Sequence, residues 1–194
     1  MGAWNNKVKE IGLMIYEFCY QLSTIVRPRH CRVVLGLFAI VFAGAAIPPS
    51  AKQIIKSSFA AQRPVLMVLG DSLVAGHGLP QGEAFPEILG QMLKNDGVDV
   101  RIINAGVSGD TTAGGLARLD WSLADNPDAA IIVLGGNDLL RGLDPSASFA
   151  NLDKIIKRLK ARNIAVLLAG MQAPRNFGAD YADEFDAIYQ RLAN

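Results

Sequence analysis

The sequence predicts a single α/β domain built on a parallel β-sheet, preceded by an N-terminal appendage. From Val65 onward, short apolar runs alternate with amphipathic stretches, which is the order that produces right-handed βαβ units. The 194 residues are 51% hydrophobic and 19% charged. This composition is too apolar for a disordered chain, and the length is too short for two full domains.

Four short apolar runs are the predicted strands. Three of them are apolar almost throughout, as expected of strands that helices cover on both faces. The second is the exception, because Asp99 and Arg101 interrupt it. In chain order the predicted strands are Val65–Leu69, Val98–Ile103, Ala129–Leu134 and Ile164–Ala169.

Four amphipathic stretches are the predicted helices. In each of them apolar residues recur at spacings of three and four, which places these residues on one helical face. A helix that shows one apolar face packs that face against a sheet, so these stretches predict layers of helices against the strands. In chain order the predicted helices are Phe85–Asn95, Thr112–Leu123, Phe149–Arg162 and Tyr181–Leu192.

The segment 1–63 differs from the remainder in charge. It carries 8 Lys and Arg against 2 Asp and Glu, whereas residues 64–194 carry 11 against 16. The net charge of +1 therefore hides a basic segment followed by a mildly acidic domain. An acidic domain disfavours nucleic-acid binding, because contact with a duplex needs a basic face.

An uncharged apolar run of 15 residues, 33–47, lies within the basic segment. Three arginines precede the run, and the small residues at 43–45 provide a cleavage pattern, as in a secretory signal peptide. A membrane-spanning helix needs about 20 apolar residues, so the run is short for an anchor unless residues 48–51 extend it.

Three alternatives follow for this segment: a cleaved signal peptide, an uncleaved anchor over residues 33–51, or a buried helix. Either Met1 or Met14 is the start of the chain, since Met14 would shorten an unusually long leader. A signal or an anchor predicts export of the acidic domain to the periplasm or cell envelope, with N-terminal membrane association in the case of an anchor.

Glycine-rich polar loops follow the first three predicted strands. They are Gly-Asp-Ser-Leu at 70–73, the stretch 104–110, and Gly-Gly-Asn-Asp at 135–138. The carboxyl ends of parallel strands meet at one edge of a sheet, so we expect the three loops to lie together. Asp71 and Asp110 are expected to hold the turns. On its own, the third loop would indicate only a tight turn.

The three loops resemble the first sequence blocks of the SGNH (GDSL) hydrolase superfamily. Gly-Asp-Ser-Leu at 70–73, Gly109 and Gly-Gly-Asn-Asp at 135–138 occur in the family's order. The resemblance extends over residues 64–194 and points to the bacterial arylesterase, acyl-CoA thioesterase and lysophospholipase branch. It implies a three-layer α/β/α, flavodoxin-like parallel sheet, with residues 64–194 as the hydrolase domain.

The resemblance implies serine hydrolase chemistry on carboxylic esters or thioesters. Ser72 would be the nucleophile, exposed at a strand-to-helix turn. The backbone N–H groups of Ser72 and Gly109 and the side-chain amide of Asn137 would form the oxyanion hole. No metal or organic cofactor is implied. The expected substrate is a small acyl or aryl ester or a lysophospholipid.

Other residues near the loops have less specific interpretations. Met171 and Gln172 follow the fourth strand and are predicted to line the acyl pocket, although a plain connecting loop fits equally well. His77 lies five residues after Ser72. We expect it to shape the pocket rather than to act as a base, because a residue on the same turn rarely reaches the serine hydroxyl.

In this superfamily the general base is a His three residues after an Asp, and no Asp-x-x-His occurs in this sequence. The resemblance therefore predicts a domain without its last strand, Asp-His block and closing helix. A site without base and orienter keeps an acceleration of only about 10³ to 10⁴ over water. The alternative function is a catalytically inert fragment, or a lipid-binding envelope protein that uses the same cleft.

Overall fold

The computed structural model describes residues 63–194, whose centre is a parallel sheet with four strands. Their spatial order is β2-β1-β3-β4. The predictions on residues 1–62, including the apolar run at 33–47 and the start of the chain, lie outside this range. The strands are β1 (Val65–Gly70), β2 (Arg101–Gly106), β3 (Ala129–Val133) and β4 (Ala165–Leu168).

Seven α-helices and one 3₁₀ turn connect and follow the strands. None of the helices within residues 63–194 has both the length and the apolar character needed to cross a membrane. The 3₁₀ turn covers Arg175–Phe177. The helices are α1 (Ser72–Ala75), α2 (Phe85–Asn95), α3 (Thr112–Ala117), α4 (Leu119–Ser122), α5 (Gly136–Leu140), α6 (Pro145–Ala161) and α7 (Ala179–Ala193).

Helices pack against both faces of the sheet, and the alternation of side chains along β1 shows the two layers. Met67 and Leu69 belong to a core cluster that contains residues of α4, α6 and α7. Leu66 and Val68 face the other way, into a cluster that contains residues of α1 and α2. The predicted three-layer α/β/α architecture is therefore confirmed.

The order of the strands determines where a crevice forms at the edge of the sheet. The chain runs from β1 outward to β2, and then returns to form β3 on the opposite side of β1. In such flavodoxin-like sheets a crevice forms outside the carboxyl ends of the strands where the order reverses. Here that point lies between β1 and β3.

The predicted second strand, Val98–Ile103, was placed three residues too early. The observed strand β2 begins at Arg101, which pairs with Val65 at the start of β1. Residues before Arg101 therefore have no partner on β1, and the carbonyl of Val100 accepts a hydrogen bond from Arg63 at 3.1 Å instead. The limits of β2 are set by its neighbour in the sheet, not by its own apolar pattern.

The predicted helix Thr112–Leu123 is two helices. Arg118, with φ −97° and ψ 4°, ends α3 and begins α4. Elsewhere α2 matches its prediction, whereas α6 begins at Pro145, four residues before the predicted start. The carboxylate of Asp144 caps α6 by accepting a hydrogen bond from the N–H of Ser146 at 2.8 Å.

Candidate active site

Ser72 is the first residue of α1 and follows β1 after a single residue, Asp71. The Asp71 carboxylate caps the helix by accepting a hydrogen bond from the N–H of Leu73 at 3.0 Å. Gly70 makes the turn possible, since a Cβ at this position would lie 2.3 Å from Val74 Cγ2. Ser72 is thus held half-buried at the carboxyl end of β1, on the strand-to-helix turn that the sequence predicts.

Gly109 lies in a turn after β2, in which the N–H of Asp110 donates to the carbonyl of Val107 at 3.1 Å. Its φ of +86° is the value required at the third residue of a type II turn. A Cβ here would meet only Arg141 Nη2, at 3.8 Å. Backbone conformation, rather than lack of space, is therefore what favours glycine here.

Asn137, in α5, connects the loops that follow β1, β2 and β3. Its Nδ2 donates to the carbonyl oxygen of Asp110 at 2.8 Å and to Oδ2 of Asp71 at 3.3 Å. The structure therefore brings Ser72, Gly109 and Asn137 to the same rim of the sheet. It also shows the Asn137 amide bound within the protein, which the sequence did not predict.

Asp71 is a buried carboxyl group, with 2% of the residue exposed. Burial raises its pKa above the ordinary value, and the nearby carboxylates of Asp110 and Asp138 raise it further, although the hydrogen bond from Leu73 N–H opposes them. The acid that adjoins the serine therefore favours its protonated form more than a free aspartic acid does.

Asp138 is also buried, and its three acceptor contacts tie the third loop to two helices. It accepts from the N–H and hydroxyl of Thr112 at 2.8 and 2.6 Å, and from the hydroxyl of Ser148 at 3.0 Å. The carboxylate is therefore occupied by protein donors. Among residues 63–194, no group of three or more His, Cys, Asp and Glu is arranged to hold a metal ion.

Tyr189 of α7 packs against the start of the third loop. Its hydroxyl donates to the carbonyl of Leu134 at 3.0 Å, and burial raises its pKa far above the usual range. Gly135, with φ +121°, lies directly over this hydroxyl, and a Cβ there would approach it to 2.2 Å. Position 135 therefore requires glycine, both because its φ is positive and because a Cβ would clash with the Tyr189 hydroxyl.

Met171 reaches the rim of the site. Its sulfur would lie 3.6 Å from a Cβ at Gly136, which places the half-buried side chain beside the third loop. The N–H of Ala173 donates to Asp186 of α7 at 2.7 Å and fixes the loop after β4. Gln172 is exposed, and the structure shows no contact that connects it to the site.

His77 is exposed, and its side chain makes no hydrogen bond with any residue of the described range. Its backbone N–H donates to the carbonyl of Ser72 at 3.1 Å. The histidine is therefore near the serine along the chain, and it lacks a partner in residues 63–194 that would orient its ring toward the hydroxyl.

Arg118 contacts the site loops and was not predicted from the sequence. Its guanidinium donates to the carbonyls of Gly70 and Ala105 and to the carboxylate of Asp110. One signal was present in the sequence, since Arg118 stands between leucines two residues before and one residue after it. A charged residue within an apolar stretch needs buried partners.

The GDSL-like lipase/acylhydrolase family model matches residues 68–194. The chain belongs to this family. That assignment agrees with the three loops and with their positions at the strand ends.

Two curated relatives show how similar the chain is to known members of the family. The chain is 41% identical over 129 residues to esterase TesA of Pseudomonas aeruginosa, an alignment that covers 66% of this chain and 64% of the relative. It is 38% identical over 135 residues to thioesterase 1/protease 1/lysophospholipase L1 of Escherichia coli K12, covering 69% and 64%. The chain therefore spans less than two thirds of the length of these family members.

Solved structures of the family have the same fold. The structure of AlinE4, described as an SGNH-hydrolase family esterase, superimposes with a TM-score of 0.66 at 51% identity, over 69% of this chain and 72% of AlinE4. The crystal structure of TesA gives a TM-score of 0.64 at 42% identity, over 66% and 72%. The predicted SGNH hydrolase fold is confirmed by these similarities.

Proposed function

We propose that this chain carries the nucleophile and the oxyanion hole of a serine acyl hydrolase that acts on carboxylic esters and thioesters. One observation carries the proposal: the Asn137 amide bridges the loops after β1 and β2 and thereby holds Ser72 and Gly109 at one rim. The names of the relatives, which include esterase, thioesterase and lysophospholipase, support this type of reaction.

In the first step, Ser72 Oγ attacks the carbonyl carbon of the ester and forms a new C–O bond, while the carbonyl electron pair moves onto the oxygen. The tetrahedral intermediate then expels the alcohol or thiol, which leaves with the proton taken from Oγ. Water attacks the acyl-Ser72 that remains, releases the carboxylic acid and regenerates the serine.

The oxyanion would be bound by three donors. The N–H groups of Ser72 and Gly109 donate to no other residue within 63–194, so both are available. Asn137 would join them by exchanging its bond to Asp71 for one to the oxyanion, because that bond, at 3.3 Å, is the longer of its two. Each such donor stabilises the transition state by about 2.7 to 4 kcal/mol.

Within residues 63–194, no side chain forms a hydrogen bond with the Ser72 hydroxyl, so no general base is in place there. The sequence has no Asp-x-x-His, and His77 lies on the turn of the nucleophile with an exposed ring. Without a base, proton removal from the serine hydroxyl limits acylation. A site without a positioned base would therefore turn over slowly, and an added base would accelerate it.

The substrate would have an apolar acyl or aryl group. Leu73, Val107 and Leu140 adjoin the site loops, and they are 65%, 43% and 72% exposed. Apolar side chains around a polar centre favour a fatty-acyl ester, an aryl ester or a lysophospholipid over a sugar ester. A relative from Vibrio mimicus, 43% identical, carries the name arylesterase. The remaining substrate contacts in this proposal are Met171, Gln172 and His77.

The proposal also includes export. The basic flank and the apolar run at 33–47 would direct the acidic domain to the periplasm or cell envelope, either as a cleaved signal or as an anchor over residues 33–51. A fusion of the full chain to alkaline phosphatase tests this, because the reporter is active only after export. An inactive fusion present in the cytoplasm would contradict it.

The hydrolysis of p-nitrophenyl butyrate, with and without added imidazole, tests the catalytic part. Imidazole can replace a missing histidine as a base, and it also hydrolyses the ester by itself, so Ser72→Ala is the matched control. We expect the wild-type rate to exceed that of Ser72→Ala, and the difference to grow with imidazole concentration. Equal rates at every concentration would overturn the assignment of Ser72.

A second candidate function is non-catalytic binding of an acyl ligand. It is favoured by one observation, since both hydrogens of the Asn137 amide are engaged by protein acceptors. Equal binding of a fluorescent fatty acid by wild type and Ser72→Ala, without any covalent serine adduct, would support this candidate. Formation of an acyl-Ser72 adduct would exclude it.

A further inference from the structure

One side chain, Arg118, contacts the ends of β1 and β2 and the loop after β2 at the same time. Its Nη2 donates to the carbonyls of Gly70 at 3.0 Å and Ala105 at 2.9 Å. Its Nε donates to Oδ2 of Asp110 at 2.6 Å, and its Nη1 to the hydroxyl of Ser122 at 3.2 Å. The side chain is 17% exposed, so the guanidinium is held in the interior by acceptors on several sides.

The two carbonyls mark the strand ends that lead into the site. Gly70 lies two residues before Ser72, and its carbonyl also accepts from the N–H of Val107 at 3.0 Å, where the Gly109 turn begins. Ala105 lies four residues before Gly109. Both carbonyls accept from the same Nη2, and the planar guanidinium holds this nitrogen at a fixed distance and direction from Nε, so Arg118 fixes the position of Asp110 relative to the two strand ends.

The ion pair with Asp110 extends this arrangement to the third loop. The carbonyl of Asp110 accepts the 2.8 Å hydrogen bond from Asn137. The side chains of Arg118 and Asp110 are both mostly buried, at 17% and 16% exposure, so loss of the arginine would leave the carboxylate without a counter-ion. The backbone break between α3 and α4 lies at Arg118 itself.

We propose that Arg118 is a positioning residue of the oxyanion hole. It sets the relative positions of the Ser72 and Gly109 N–H groups and of the Asn137 amide, and it does not touch the substrate. This inference rests on the function proposed for the same site. The shape of the guanidinium matters as well as its charge, because it reaches Asp110 through Nε and both carbonyls through Nη2, whereas the single nitrogen of a lysine cannot occupy both positions.

The first test measures the rate at which an alkyl fluorophosphonate labels Ser72 in wild type, Arg118→Lys and Arg118→Ala, at a temperature where circular dichroism shows all of them folded. Displacement of donors by about 1 Å costs about 100-fold in rate, which we expect for Arg118→Ala, with about tenfold for Arg118→Lys. The matched control is Arg158→Lys, in the exposed ion pair with Asp120. Folded Arg118 variants that label at the wild-type rate would overturn the inference.

The second test separates positioning from general loss of structure. Ethylguanidinium should restore labelling of Arg118→Ala, because it replaces the missing donors, whereas ethylammonium carries the same charge without the planar fork and should not. If both cations, or neither, restore the rate of a folded Arg118→Ala, the guanidinium has no specific positioning role and the inference is wrong.

The third test does not depend on reactivity. In ¹H–¹⁵N spectra, Arg118→Lys should shift the backbone resonances of Ser72 and Gly109 and the side-chain amide of Asn137, whereas Arg158→Lys should leave them in place. If wild type itself is not labelled, the proposed function fails and these spectra decide the inference. Unchanged resonances at the three groups would contradict it, and shifts confined to Arg118→Lys would support it.

Discussion

The side-chain amide of Asn137 donates a hydrogen bond to the carboxylate of Asp71, with 3.3 Å between Nδ2 and Oδ2. This contact spans the point between β1 and β3 where the strand order reverses. It connects the residue that precedes the candidate nucleophile with a candidate oxyanion donor. The protonation state of Asp71 and the packing of these loops should therefore affect both the stability of the domain and the reactivity of Ser72.

The ionisation of Asp71 should make stability depend on pH. Because burial raises the pKa of Asp71 above its ordinary 3.8, the native state keeps this proton to a higher pH than the unfolded chain does. The Asp71 contribution to the free energy of unfolding must then fall as pH rises from the ordinary pKa through the raised one. Wild type should lose stability relative to Asp71→Asn over that interval.

Urea unfolding of both proteins at a series of pH values measures this difference. The exposed Asp99→Asn variant is the control for replacement of a carboxylate by an amide. A difference between wild type and Asp71→Asn that is constant with pH, or that changes in the opposite direction, would show that burial does not dominate at Asp71.

Gly135→Ala should destabilise the domain by about 2 to 4 kcal/mol, since strain at positive φ adds to a steric clash. The new Cβ would lie 2.2 Å from the hydroxyl of Tyr189 and would break its hydrogen bond to Leu134. The control is Gly97→Ala, where φ is +79° and no atom lies within 4 Å. Equal losses in the two variants, measured by chemical denaturation, would show that the contact with Tyr189 is unimportant.

Asp138→Asn should cost about 2 to 3 kcal/mol, because a neutral amide with one acceptor oxygen would replace a buried carboxylate whose two oxygens accept three hydrogen bonds. The exposed carboxylate of Asp99, paired with Arg63, provides the comparison, and Asp99→Asn should change stability little. Thermal and denaturant unfolding both report this difference. A loss no larger than that of Asp99→Asn would refute the role assigned to Asp138.

Gly109→Ala should slow fluorophosphonate labelling about tenfold, because relief of strain at φ +86° would move the turn and its N–H. It should cost only about 1 kcal/mol of stability, since space around the new Cβ is open. Gly82→Ala, at φ +89° and also with open space, is the matched control. Similar labelling rates for the two variants would argue against an oxyanion contact at Gly109.

The fold could be predicted where local periodicity decides it. The apolar face of α2 gave both of its ends, and all four strands were found. The start of β2 was misplaced because its pairing with Val65 depends on a distant segment. The break at Arg118 was missed because the acceptors that draw its side chain inward lie 48 and 13 residues away in the sequence.

The sequence predicted which loops form the candidate site, but it did not predict the contacts between their side chains. Glycine and polar residues at three strand ends predicted a common rim for Ser72, Gly109 and Asn137, and the structure places them there. The internal partners of the Asn137 amide could not be predicted, because they depend on the side-chain direction and on the position of the Asp110 carbonyl. The same limit applies to Met171, whose position beside Gly136 follows from the packing of the loop after β4.

Covalent labelling of the intact chain by an alkyl fluorophosphonate, read by mass spectrometry, tests most directly whether the three loops form a reactive serine site. We expect a single adduct that maps to Ser72, that forms faster when imidazole is added, and that is absent from Ser72→Ala. No adduct on the folded protein at any imidazole concentration, or an adduct that persists in Ser72→Ala, would contradict the assignment of Ser72 as the nucleophile.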